Sequence, residues 1–147
     1  MKVLRKISLM LLCLAVAGGA LSGCGDSGPP RAKIKGEVTN DGEPLKVKPM
    51  VGKVQVTFFP LSEKGEITGD PQEAAIQPSG EFTVHGTEGK GILPGKYKIA
   101  VRQWDEFPNK DVLEGKADKD HTTIIRDIKD GDEVIIDVKD ILAGKAK

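Results

Sequence analysis

The sequence predicts an all-β domain that folds as an antiparallel sandwich of seven short strands. Apolar residues alternate with polar ones in several short runs, and turn residues interrupt the chain about every 8 to 20 residues. No stretch has a convincing helical period. The aromatic share is only 4%, so the core must consist mainly of Val, Ile and Leu, which suit half-buried strands. This composition disfavours a large, aromatic-lined ligand pocket.

The N-terminal segment of the 147-residue chain has the pattern of a secretory signal peptide, which we predict over residues 1–23. Three basic residues precede an apolar run at 7–16, and small residues follow at 17–20. A helix that spans a bilayer needs about 20 apolar residues. Because this run is shorter, a spanning helix is the weaker alternative.

The signal segment ends in Leu21-Ser22-Gly23-Cys24, which resembles the bacterial lipobox. A cysteine thiolate can accept a diacylglyceryl group as a stable thioether, whereas an unactivated serine hydroxyl cannot. The resemblance implies that Cys24 becomes the acylated, palmitate-bearing N terminus and anchors the protein in a membrane of the cell envelope. Gly25 stands where aspartate marks inner-membrane retention, which favours the outer membrane. The alternative is an ordinary secretory signal with a chance cysteine.

Removal of the signal peptide changes both the cysteine content and the net charge of the chain. Cys13 lies in the removed segment and Cys24 carries lipid, so the mature chain is expected to have no free thiol, no disulfide and no Cys-ligated metal site. Loss of Lys2, Arg5 and Lys6 leaves 19 basic against 22 acidic residues, a net charge of −3. A mildly acidic surface does not attract nucleic acid, which is therefore not an expected partner.

The residues after the anchor divide into a flexible tether at 24–32, a domain at 33–140 and a tail at 141–147. The tail is too short for a stable helix, and we expect it to be frayed. Residues 61–71 read as an exposed loop, and the polar segment 105–120 is longer than usual for a compact domain. The last two strands should form a hairpin around the turn at 129–132. The predicted strands cover residues 34–38, 54–58, 73–77, 82–84, 97–101, 122–128 and 134–138.

The order of the turn and strand motifs resembles the carboxypeptidase regulatory-like family. The matching motifs are GEVT at 36–39, DGEPL at 41–45, VQVTF at 54–58, SGEF at 79–82 and LPGKY at 93–97. The resemblance covers about residues 34–138 and implies a transthyretin-like, or prealbumin-like, Greek-key sandwich of the kind found in many bacterial surface lipoproteins. Members serve as non-catalytic modules that support folding or contacts. The motifs specify a fold and not a reaction.

Enzymatic relatives of that fold require residues that this chain lacks. His85 and His121 are not followed by a glutamate at the spacing of a zinc carboxypeptidase. The C-terminal signature of hydroxyisourate hydrolases is replaced by the sequence at 142–147, and the single Tyr97 cannot supply the two tyrosines of an intradiol dioxygenase. No nucleophile elbow is present. The sequence therefore predicts no catalytic residue, no cofactor and no enzyme activity.

Two further sets of polar residues are of the types that bind metal ions. The aspartates lack the twelve-residue loop with a closing glutamate that calcium sites use, so solvated turns are the favoured alternative. Nothing in the sequence places His85 beside His121, and both are expected to be ordinary polar residues. No metal site is therefore predicted. The aspartates in question are Asp118, Asp120, Asp130 and Asp132.

One candidate binding site lies at the end of the longest predicted strand. Trp104 and Phe107 flank Asp105 and Glu106, and a flat ring beside carboxylates is a common way for sandwiches to hold sugars or peptides. The loop at 104–111 is therefore a possible site for a glycan or an envelope protein. The alternative is that Trp104 continues the strand and caps the end of the core.

These observations predict a bacterial lipoprotein in which the acylated Cys24 holds a single sandwich at a membrane surface. Its expected role is that of a non-catalytic structural or interaction module. The alternative is a surface module that binds carbohydrate or peptide through residues 104–111. One acyl chain anchors a protein only marginally, so the two or three chains of a lipoprotein would make the attachment lasting.

Overall fold

The computed structural model describes residues 28–45 and 47–145. The predicted signal peptide and residues 24–27 of the predicted tether, Cys24 included, lie outside the described residues. Eight strands, one short helix and a 3-10 turn occur within the described ranges. They are β1 (Ile34–Asn40), β2 (Glu43–Pro44), β3 (Lys53–Pro60), β4 (Gln72–Ile76), β5 (Glu81–Val84), the 3-10 turn Thr87–Gly89, β6 (Gly95–Trp104), β7 (Ile125–Ile128), β8 (Glu133–Asp137) and α1 (Val138–Leu142).

The predicted all-β class is confirmed, and each of the seven predicted strands is present with shifted ends. The two-residue strand β2 is an addition, formed where the Asp41-Gly42 turn folds the chain back on β1. In the described part of the chain, no helix is long and apolar enough to cross a membrane.

The strands form one curled sheet in the order β2-β1-β5-β4-β3-β6-β7, and β8 pairs with β1. Both β5 and β8 pair with residues 35–37 of β1, so they lie on opposite sides of it, and β8 and β7 form the two edges. Antiparallel pairing predominates among the described strands. The pairing of β1 with β8 is parallel.

The predicted hairpin between the last two strands is wrong. β7 pairs with β6, whereas β8 pairs with β1 at the other edge of the sheet. The turn at 129–132 connects the two edges, and the Asp132 carboxylate accepts a hydrogen bond from the Lys129 amide at 2.7 Å. Asp130 accepts another from the Lys33 amide at 2.9 Å. Ile128 and Val134 are buried in the observed pairing. A hairpin would use the same alternation of apolar residues, so the apolar pattern does not distinguish the two pairings.

The start of β7 and the end of the described chain also differ from the prediction. The strand predicted over 122–128 begins only at Ile125, although Thr122 and Ile124 are buried. The strand predicted over 134–138 ends at Asp137, and α1 begins at Val138. The expectation that the tail is frayed from residue 141 is wrong for Ile141 and Leu142, because both belong to α1 and Ile141 is buried. Tertiary contacts stabilise a helix that would be too short on its own.

The hydrophobic core fills the inside of the curl. Near its centre, the Phe58 ring of β3 lies 6.1 Å from the Phe82 ring of β5 and 6.2 Å from the Tyr97 ring of β6. Burial raises the pKa of the Tyr97 hydroxyl, which donates a hydrogen bond to the Leu93 carbonyl at 2.7 Å. The remaining core is aliphatic, as the low aromatic share predicts.

A candidate binding face on strands β3 and β6

Strands β3 and β6 form the longest pairing of the sheet and expose one side to solvent. Successive side chains of a strand point to opposite faces. Ile99 and Val101 lie in the core, so Ala100, Arg102 and Trp104 lie on the opposite face of β6. We call this side the outer face. It consists of Lys53, Gln55, Thr57 and Phe59 from β3 and of Lys98, Ala100, Arg102 and Trp104 from β6.

Two open cavities of about 570 and 400 Å³ lie on the outer face, and both are lined by Gln55 and Arg102. The first extends to the rings of Trp104 and Phe107, and the second extends to Phe59. Together they form one groove. Because a strand rises about 3.3 Å per residue, a groove along residues 53–59 is about 20 Å long.

The segment at 105–124 lies along the edge of β6 that β3 leaves free. The amides of Ile99, Val101 and Gln103 donate hydrogen bonds to the Ile124 carbonyl at 2.9 Å, to the Ala117 carbonyl at 2.8 Å and to the Asp111 carboxylate at 3.1 Å. β7 pairs with β6 only as far as Lys98. After that residue, the segment accepts hydrogen bonds from every second backbone amide of β6. The segment therefore covers a sheet edge that would otherwise be open to association.

Asp111 organises the part of this segment nearest to the groove. Its carboxylate accepts hydrogen bonds from the amides of Gln103, Leu113 and Gly115, at 3.1, 3.0 and 3.2 Å. The Leu113 side chain is buried in the core. The long polar segment is thus attached to the domain by both backbone and side-chain contacts, and the Asp111 carboxylate is occupied.

The structure brings the two predicted rings together but exposes only one. Trp104 is 7% exposed and packs edge-on against Phe107, with ring centroids 5.3 Å apart and an angle of 87°. Phe107 is 51% exposed, and the Lys53 ammonium lies 4.6 Å from its ring centroid. The ring that a ligand could contact is therefore Phe107, with Trp104 supporting it from below.

The predicted carboxylates do not join the rings. Asp105 and Glu106 line a separate depression beside Val112, away from the cavity that holds Trp104 and Phe107. The Glu106 carboxylate lies 2.9 Å from the Lys48 ammonium. The hydrogen bond and the charge of Lys48 lower the pKa of Glu106, and Glu106 raises the pKa of Lys48 in return.

The groove is lined by Lys53 and Arg102, which the sequence did not identify as site residues, and not by Asp105 or Glu106. Lys53 and Arg102 form no ion pair with any described residue. The Glu73 carboxylate, which also lines the groove, accepts a hydrogen bond from the Gln55 amide at 2.7 Å. Alternation along β3 and β6 marks both cations as outward-facing, but only the pairing of the two strands places them in one groove.

The aspartates and histidines of the types that bind metal ions have other contacts. The Asp118 carboxylate lies 2.8 Å from the His121 ring nitrogen and accepts hydrogen bonds from the amides of Asp120 and His121, each at 3.0 Å. Burial alone would raise the pKa of Asp118, but these bonds lower it. His85 follows β5 and is not hydrogen-bonded to His121. Within residues 28–45 and 47–145, no group of three or more His, Cys, Asp or Glu side chains could hold a metal ion.

Comparison with known proteins gives two similar solved structures. One is a DUF3823 family protein from Parabacteroides merdae, with 18% identity and a TM-score of 0.47, and the match covers 75% of this chain and 46% of that chain. The other is a DUF3823 family protein from Bacteroides ovatus, with 17% identity, a TM-score of 0.40 and coverages of 74% and 44%. The chain thus spans less than half the length of either protein. No family model matches, and no curated protein matches.

Proposed function

We propose that this chain is a non-catalytic module of a bacterial cell envelope, attached to the membrane by lipid on Cys24. The lipobox-like sequence before Cys24 supports the attachment, and Gly25 supports the outer membrane as its location. The observation that carries an interaction role is the position of the binding groove relative to the start of the domain.

The chain enters the domain at the end of the sheet that is far from Trp104. Ala32 and Ile92 exchange two backbone hydrogen bonds, of 2.7 and 3.0 Å, three residues before β6 begins at Gly95. β6 then runs ten residues to Trp104, a length of about 30 Å. A lipid on Cys24 would therefore hold the domain by one end and direct the Phe107 end of the groove away from the membrane.

We infer that the curled sheet is a Greek-key sandwich of the carboxypeptidase regulatory-like type. Strand β4 supports this assignment because it pairs with β3 through Glu73 and with β5 through Ala74. It thereby links one group of strands, β3, β6 and β7, to the other group, β1, β5 and β8. The contact between Phe58 and Phe82 joins the inner sides of these two groups.

Replacement of Cys24 by serine tests the attachment. We expect Cys24→Ser to abolish palmitate labelling and to move the protein from the membrane fraction to the soluble fraction. The physical reason is that each buried methylene contributes about 0.8 kcal/mol to membrane binding, so loss of all acyl chains removes the anchor. The measurement is metabolic labelling with cell fractionation.

Cys13→Ser is the matched control, because Cys13 lies in the segment that cleavage would remove. It should leave both labelling and fractionation unchanged. Mass spectrometry that finds an unmodified residue at the mature N terminus would refute the lipid anchor.

A second candidate function is the binding of a carbohydrate or a peptide by the outer face and residues 104–111. The exposed Phe107 ring at the end of the groove favours this function. A glycan array probed with the full-length protein tests it. We expect binding to at least one glycan class and its loss in Phe107→Ala, whose exposed ring contributes little to the core.

A further inference from the structure

We propose that the groove on the outer face binds an acidic saccharide, one whose sugar residues carry carboxylates. This inference rests on the second candidate function and specifies its ligand. It follows from the charges in the groove, from the backbone hydrogen bonds of β3 and β6, and from the exposed ring at one end.

The groove contains two cations without anionic partners among the described residues. Arg102 is exposed and lies directly across from Gln55, while Lys53 lies across from Trp104. Lys53 and Arg102 are therefore diagonal neighbours on one face, about 7–8 Å apart at their backbones. A guanidinium presents a planar pair of donors that matches a carboxylate, so Arg102 is suited to hold one directly.

No carboxylate among the described residues forms an ion pair with Lys53 or Arg102, and the carboxylates that line the groove have other contacts. Asp111 accepts three backbone hydrogen bonds. Glu73, which accepts the hydrogen bond of the Gln55 amide, and Asp120 line the part of the groove toward Phe59. Lys119 lies in the same part, 3.8 Å from Asp120. The part of the groove next to Phe107 is therefore lined by two cations, Lys53 and Arg102, and by one carboxylate, Asp111, which gives it a net charge of +1. An anionic ligand fits this section better than a neutral one.

The backbone of the groove favours a saccharide over a peptide. An extended peptide commonly binds by adding a strand to a free sheet edge. β6 has no such edge, because β3 pairs along one side and β7 and the segment at 105–124 bond along the other. β4 pairs with the other edge of β3 only at Thr57 and Phe58, but that edge is not the one that faces β6 across the groove. A ligand that lies in the groove between β3 and β6 can therefore reach side chains only.

Those side chains suit the chemistry of a sugar chain. The Gln55 amide and the Thr57 hydroxyl can bond to sugar hydroxyls. The exposed Phe107 ring offers an apolar surface for the flat side of a sugar ring, and Trp104 fixes its orientation. A groove of about 20 Å that is open at the surface accommodates an extended oligomer better than a single ring.

The test uses the full-length protein in detergent and three probes: an oligogalacturonate, the same oligomer as its neutral methyl ester, and an oligoglutamate of similar length. We expect measurable binding of the oligogalacturonate by calorimetry, weakening with added salt, and much weaker binding of the ester. Arg102→Gln should reduce affinity about tenfold or more, since it removes a charge-assisted hydrogen bond. The Arg102 side chain has no hydrogen-bond or ion-pair partner among the described residues, so the melting temperature of the Arg102→Gln variant should equal that of the wild-type protein.

Lys35→Gln is the matched control. It removes one positive charge from an exposed position on β1, which pairs with neither β3 nor β6, and should leave affinity unchanged. If the ester binds as well as the acid and only Phe107→Ala abolishes binding, the acidic preference is wrong and saccharide binding stands. If the oligoglutamate binds more tightly, the saccharide assignment is wrong. If none of the three probes binds, both the inference and the second candidate function fail.

Discussion

Replacing Asp137 by alanine should destabilise the domain more than any other single carboxylate replacement on its surface. The Asp137 carboxylate accepts hydrogen bonds from the Thr39 hydroxyl at 3.2 Å and from the amides of Asp41, Gly42 and Lys139 at 3.1, 2.8 and 2.8 Å. It thus joins the turn after β1 to the N terminus of α1. One side chain connects segments that are 98 positions apart in the sequence.

The magnitude follows from those four bonds. Loss of an N-cap carboxylate costs about 1 kcal/mol, and the three remaining bonds, partly exposed to water, bring the expected loss for Asp137→Ala to about 2–3 kcal/mol. At about 4 °C per kcal/mol, the melting temperature should fall by about 8–12 °C. Thermal and urea unfolding followed by circular dichroism measure both quantities. Asp127→Ala is the control, because Asp127 is exposed on β7; equal stability of the two variants would refute the reasoning.

The same carboxylate predicts a pH dependence. Burial alone would raise the pKa of Asp137, but hydrogen bonds from Gly42, Lys139, Asp41 and Thr39 lower it. Its pKa in the folded state is therefore below the unfolded value of about 3.9. The stabilising contribution is fully present above that value and is lost as the pH falls through the folded pKa. The stability difference between the wild-type protein and Asp137→Ala should shrink below about pH 4. A difference that stays constant down to pH 2 would contradict this assignment.

Two further substitutions test the packing. A β-carbon at Gly36 would overlap the backbone oxygen of Val134. Gly36→Ala should therefore lower the free energy of unfolding by about 1–3 kcal/mol, measured in urea, because β1 and β8 must move apart. An unchanged urea midpoint would show that the strands separate without cost. Trp104→Ala should cost about 3 kcal/mol because its ring is buried, whereas Phe107→Ala should leave the melting temperature nearly unchanged. Equal melting temperatures for these two variants would contradict the assignment of Phe107 as the exposed ring.

The candidate site was only partly predictable from the sequence. Trp104 and Phe107 are recognisable because aromatic residues are rare in this chain and stand together at the end of a strand. Lys53 and Arg102 are 49 positions apart, and each reads alone as a solvated charge on a half-buried strand. Their association depends on the register that places Lys53 opposite Trp104. Such a register is a long-range choice that local alternation does not contain.

The sequence by itself determined where the strands lie and which side of each is buried, because a two-residue period of apolar side chains is a local property. Its prediction of a lipid on Cys24 is equally local and stays a prediction. Only the tertiary structure decided that β8 pairs with β1 and that the segment at 105–124 bonds to β6. Every strand edge offers the same backbone donors and acceptors. The choice of neighbour therefore depends on how all the buried faces pack together around one core.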